Sequence, residues 1–141
     1  MHDEKQHEVM VWMKKAEDDL RTARVAMDAK PPLIESALFH CQQAVEKAMK
    51  TFLTANDTPF RKTHNLDELA CACEKIDGSL KDILDLTREL TVFAWEFRYP
   101  GGSETPPAED AYDAIQEAQT VIKTIRLRLP EYFREQTGGC I

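Results

Sequence analysis

Residues 37–53, ALFHCQQAVEKAMKTFL, decide the fold. At 100° per residue with His40 at zero, Ala37, Leu38, Cys41, Ala44, Val45, Ala48, Met49 and Phe52 fall between about 40° and 180°. An apolar face that wide belongs to a helix with core on one side. Gln43, Lys47 and Lys50 fall near about 300°, 340° and 280° on the same wheel. With His40 they form a polar stripe along one edge of the apolar face. Lysine offers a point positive charge, glutamine directional donors, and histidine both a donor and an acceptor. Such a stripe can cradle phosphates. It is equally what a solvated helix face looks like.

Outward from this segment, the turn formers Asn56-Asp57-Thr58-Pro59 end the helix, which starts near Leu33. Before it, residues 8–29 carry Met13, Ala16, Leu20, Ala23 and Met27 at three- and four-residue steps, a first helix with Trp12 beside its stripe. Lys30-Pro31-Pro32 stops that helix. After the loop Phe60-Arg61-Lys62-Thr63-His64, Asn65 with Glu68 three residues on predicts a capping box and a third helix ending near Ile76. Ser79 with Asp82 predicts a fourth, running through Leu84 and Leu90 to about Phe97. Arg98-Tyr99-Pro100-Gly101-Gly102 breaks the chain. Thr105-Pro106-Pro107 opens a last helix that Pro130 closes, with Ala111, Ala114, Ile115, Ala118, Val121, Ile122 and Ile125 facing inward. No strand alternation is present. The pattern predicts an all-α, up-and-down antiparallel bundle of four to five helices. It forms one domain over residues 1–141, with a core over about 8–129 and flexible ends at 1–7 and 134–141.

The chain has 141 residues, 43% hydrophobic and 30% charged, enough for one closed core. No apolar run approaches the roughly 18 residues that span a bilayer, and the polar start is no secretory signal. The expected location is the cytoplasm, with Cys41, Cys71, Cys73 and Cys140 as thiols. A net charge of −7 argues against a general nucleic-acid coat. Between Leu38 and Leu66, however, Lys47, Lys50, Arg61 and Lys62 stand against Glu46 and Asp57, a net +2, so the remainder carries −9. That asymmetry makes this stretch the best place for an anionic ligand. In RKTHN, Arg61, Lys62 and His64 precede a helix N-terminus, which itself favours anions. Arg98 offers a fork to phosphate and Tyr99 a stacking face, although Arg98 could equally pair with Glu96.

Cys71-Ala72-Cys73 lacks zinc spacing, and on a helix its side chains point about 200° apart, one inward and one outward. No glycine-rich phosphate loop and no nucleophile triad is identifiable. No metal, cofactor or catalytic residue is therefore expected.

The segments FHCQQAVEKAMKTFL (39–53), KTHNLDEL (62–69) and EFRYPG (96–101), with WMKKAEDDLRTARVAM (12–27), resemble the HEPN domains of prokaryotes, over about Val11 to Leu129. The resemblance implies a helical bundle, often a homodimer and often found beside a minimal nucleotidyltransferase, with a role in binding nucleotides or RNA. By position it marks His40, Gln43, Glu46 and Lys47, then His64, Arg98, Tyr99 and Pro100. Nuclease members of the family carry an Arg, four to six residues, then a His. Here no His follows an Arg at that spacing, and Arg61 precedes His64 by only three. The leading expectation is a non-catalytic nucleotide- or RNA-binding module. The alternatives are a protein-interaction partner of a minimal nucleotidyltransferase in a toxin–antitoxin-like pair, and, disfavoured, a ribonuclease. Expected ligand contacts are His40, Gln43, Lys47, Lys50, Arg61, Lys62, His64, Arg98 and Tyr99, with no membrane involvement.

Overall fold

The computed structural model describes residues 2–94 and 105–134. Helix α1 spans His2–Asp28 and α2 spans Ile34–Ala55. They are joined by a short turn in which the Leu33 amide donates to the Ala26 carbonyl at 2.9 Å. Helix α1 begins six residues before the sequence pattern suggests. Asp3 and Glu4 in its first turn complement the helix dipole there. Helix α3 spans Leu66–Ile76, and α5 spans Ala108–Arg128. Among the described residues there is no strand.

The expected fourth helix is broken. A 3-10 turn, Gly78–Leu80, leads into the short α4, Lys81–Asp85, and a 3-10 stretch follows over Arg88–Ala94. Two causes are visible. The buried Thr87 hydroxyl donates to the Leu84 carbonyl at 2.8 Å, an alternative to the regular ladder. Arg88 is drawn toward α3 by Glu74 at 2.6 Å and by Asp67, and also pairs with Asp85 at 2.7 Å. Asp85, with smaller help from Asp67 and Glu74, holds the guanidinium above its usual range despite desolvation. The cap before this region is Asp77, whose carboxylate accepts from the Ser79 amide at 3.0 Å.

Helix α2 is the centre of the bundle. It packs against α1, α3, α5 and the Arg88–Ala94 stretch. From Ala37 to Leu53 every residue is buried except Phe39, His40 and Lys47, which are half-buried. The eight residues of its expected apolar face are all buried, and so are Gln43 and Lys50, which the helical wheel puts at the edge. The core also takes Ala16, Ala23, Leu66, Leu69, Cys73, Ala111, Ala118 and Ile125. Cys73 is buried and Cys71 exposed, the division the spacing requires.

Candidate functional site

Two carboxylates organise the polar edge of α2. The first is Asp19 on α1. Its Oδ2 accepts from Lys47 Nζ at 2.6 Å, and its Oδ1 lies 2.8 Å from His40 Nδ1. All three side chains are largely withdrawn from solvent, Asp19 to 13% exposure, so the Lys47 pair is closer to a buried than a surface bridge.

The second is Glu46, only 3% exposed on α2 itself. Its Oε2 accepts from Lys50 Nζ at 2.8 Å one turn on, and its Oε1 lies 2.7 Å from His64 Nδ1. Gln42 donates from Nε2 to the His64 carbonyl at 3.0 Å and to Glu46 at 3.3 Å. Gln43 donates to Gln42 Oε1 at 2.6 Å. Lys50 completes its surroundings with two rings: its ammonium lies 5.3 Å from the Trp12 centroid and 5.6 Å from that of Phe60. Burying an ammonium is costly, and a carboxylate plus two aromatic faces offset that cost. Facing a carboxylate oxygen, His64 Nδ1 carries the proton and donates. Its Nε2 is then the nitrogen left for solvent or ligand on a ring that is 66% exposed.

The loop before α3 is arranged differently from the expectation. Asn65 Oδ1 accepts from the Asp67 and Glu68 amides at 2.9 and 3.3 Å, as a cap should. Glu68 does not close the box; the Asn65 amide instead donates to Thr63 Oγ1 at 3.0 Å. Glu68 holds Arg61 in a two-pronged pair at 2.7 to 3.0 Å. That pair pulls the Glu68 carboxyl below its usual range and lifts the exposed guanidinium above its own. Lys62 is exposed, without an ion pair among the described residues.

The arrangement brings His40 and Lys47 to one carboxylate, and Lys50 and His64, with Gln43 through Gln42, to the other. Arg98, Tyr99 and Pro100 lie outside the described residues. Asp19 and Gln42 escaped the sequence reading. Asp19 sits beside Asp18 in AEDDL, and no spacing rule distinguishes the two; Gln42 was hidden by its neighbour Gln43. From outside the segment, Asp19 and Glu68 pair with Lys47 and Arg61 while Lys5 pairs with Asp57, so with these partners the net +2 of residues 38–66 falls to +1. Glu4 and His7 have an isolated Glu-x-x-His spacing. Among the described residues no group of three His, Cys, Asp or Glu side chains is placed to hold a metal ion. No helix among them is long and apolar enough to cross a membrane.

The HEPN domain family model matches residues 9–128. The protein from Methanocaldococcus jannaschii named "Putative toxin MJ1304" is 28% identical over 142 residues, covering 91% of this chain and 90% of the relative. No solved structure matches the chain.

Proposed function

This chain belongs to the HEPN domain family, and from that membership we propose that it is the helical member of a toxin–antitoxin-like pair, acting through its surface on a protein partner. The partner class is a minimal nucleotidyltransferase and the working form a homodimer, as the sequence resemblance implies. The name of the Methanocaldococcus jannaschii relative supports the toxin side of this reading. The observation that carries it is the neutralised stripe. Lys47 is committed to Asp19, Lys50 to Glu46 and Arg61 to Glu68. A phosphate approaching Lys47 would meet the Asp19 carboxylate as well, and like charges in a half-buried site repel. The stripe therefore works as internal structure, and the outer surface is left for a macromolecule.

Two measurements test this together. The product of the adjacent gene, co-expressed, is expected to co-purify in a stable complex; a chain that captures none of it counts against the proposal. ATP and short RNA titrated at low salt are expected to bind more weakly than millimolar. Asp19→Ala should tighten that binding by about tenfold, the order expected from removing one repelling charge a few ångströms away. Sub-millimolar binding by the unaltered chain would shift the reading to nucleotide binding. One observation favours that second reading: His64 Nε2 and Lys62 both face outward beside the α3 N-terminus. Without an Arg and a His at the nuclease spacing, no cleavage role is proposed.

A further inference from the structure

The strongest unassigned feature is a surface groove of about 760 Å³ between the start of α1 and the loop that follows α2. Its lining includes Trp12 and Phe60, with Glu4, Glu8, Lys5 and Asp57 along the rim. The two rings meet edge to face, centroids 6.0 Å apart. Both are half-buried, so part of each is solvent-facing. Lys50, whose ammonium lies against both rings, is buried and does not line the groove. The rings thus join a buried cation to an open cleft.

The rim determines what the cleft accepts. Glu4 and Glu8 are exposed and stand one turn apart on α1. No ion pair holds either of them among the described residues, whereas Asp57 is paired with Lys5 at 2.9 Å. Three carboxylates against one ammonium leave the rim at −2. An anionic ligand is repelled there. A cation is attracted twice, by the carboxylates and by the quadrupoles of the rings. Among protein cations, guanidinium suits the site better than ammonium: it is planar, stacks on aromatic faces, is weakly hydrated and pairs bidentately with carboxylate.

We propose that this groove docks an arginine-bearing basic segment of the protein partner, with a guanidinium on the Trp12–Phe60 floor and Glu4 and Glu8 as its counter-charges. The inference rests on the partner reading above and names the chemistry of the contact. It also gives α1 a role that the α2 stripe does not have. Helix α1 contributes Asp19 inward to the bundle and Glu4, Glu8 and Trp12 to a surface of opposite charge preference from the RKTHN loop.

Trp12 reports on its own groove. In full-length protein with Trp95→Phe, a capped peptide of alternating arginine and glycine is titrated at low salt while Trp12 emission is followed. Saturable quenching is expected, weakened by salt as partly exposed pairs are. The lysine–glycine counterpart should bind more weakly and the aspartate–glycine counterpart not at all. Glu4→Gln with Glu8→Gln, unchanged in helical circular dichroism, should weaken the arginine peptide by about fivefold or more. No quenching, an undiminished response in the double variant, or equal quenching by ATP or the aspartate peptide would each overturn the proposal. Co-purification separates the two readings. If the adjacent gene's product is retained equally by the original and the Glu4→Gln/Glu8→Gln protein, the groove assignment fails and the partner reading stands. If nothing is retained but the arginine peptide still binds in the manner described, the groove assignment stands and the partner reading fails.

Discussion

Glu46 serves three groups from a site with almost no solvent: Lys50, His64 and Gln42. Removing one member of a buried ion pair strands the other, which is worse than never having had the pair. Glu46→Ala should accordingly cost about 3–5 kcal/mol in urea unfolding, because the Lys50 ammonium remains with only its two rings. Replacing both members, Glu46→Leu with Lys50→Met, should recover most of that loss, since an apolar pair of similar volume carries no desolvation penalty. If the double variant were as unstable as the single one, the network would matter for more than its charges. Glu46 is also where the residue-level reading of sequence reached its limit. On a helical wheel it is one more polar residue, and it stood out only through the family resemblance. Its meaning depends on His64, eighteen positions away, and on Trp12 in another helix.

At the scale of elements, the C-terminal end of α2 is the clearest case of local chemistry. The Thr58 amide donates to the Leu53 carbonyl at 2.9 Å and the Asp57 amide to Thr54 at 3.1 Å, a Schellman closure. It needs a left-handed residue, and Asp57 fills that position at φ 54°. Asp57→Gly should be at least as stable as the parent in thermal unfolding: glycine removes the left-handed strain, and the exposed Lys5 pair it gives up contributes little. Asp57→Val should lose about 1–2 kcal/mol, because a β-branched side chain resists positive φ. A valine variant as stable as the parent would mean that the turn is not held as described. Turn formers at 56–59 made this end legible in sequence, as did Asn65 before α3. The fourth segment was less legible. Its leucines keep helical spacing, but the Thr87 hydroxyl bonds locally to Leu84, and the pull of Arg88 toward Asp67 and Glu74 is a decision of tertiary structure. The burial of Gln43 and Lys50 is similar: a wheel shows the width of an apolar face but not how many neighbours close around it.

For the molecule as a whole, two thiols couple the core to pH. Burial pushes Cys41 up to about 12, with a smaller contribution from Glu117, and Cys73 likewise, with a smaller one from Glu74. The unfolded value is 9.0. Between the two values the unfolded chain loses protons that the folded chain keeps. Stability is therefore intact below the unfolded value and falls as pH rises toward the folded one, by up to about 1.4 kcal/mol per unit and per thiol. Melting temperature followed from pH 8 to 11 should decline. Cys41→Ala with Cys73→Ala should begin lower, from the cavities it makes, but decline less steeply. Parallel slopes would show that other groups control the alkaline limit.

The Asp19 contact has a consequence for how the bundle is aligned. The buried surfaces of α1 and α2 are rich in alanine, with Ala16 and Ala23 on one and Ala37, Ala44 and Ala48 on the other, all fully excluded from solvent. Larger side chains are buried beside them, Met13, Leu20 and Met27 on α1 and Leu38 and Met49 on α2. A slide by one helical turn, about 5.4 Å, moves each of these away from the neighbours it packs against. The same slide carries the Asp19 carboxylate out of reach of both His40 and Lys47 and leaves opposite charges unmatched in a half-dry seam. One carboxylate with two partners thus adds a matching of charge to the alignment that the packing sets.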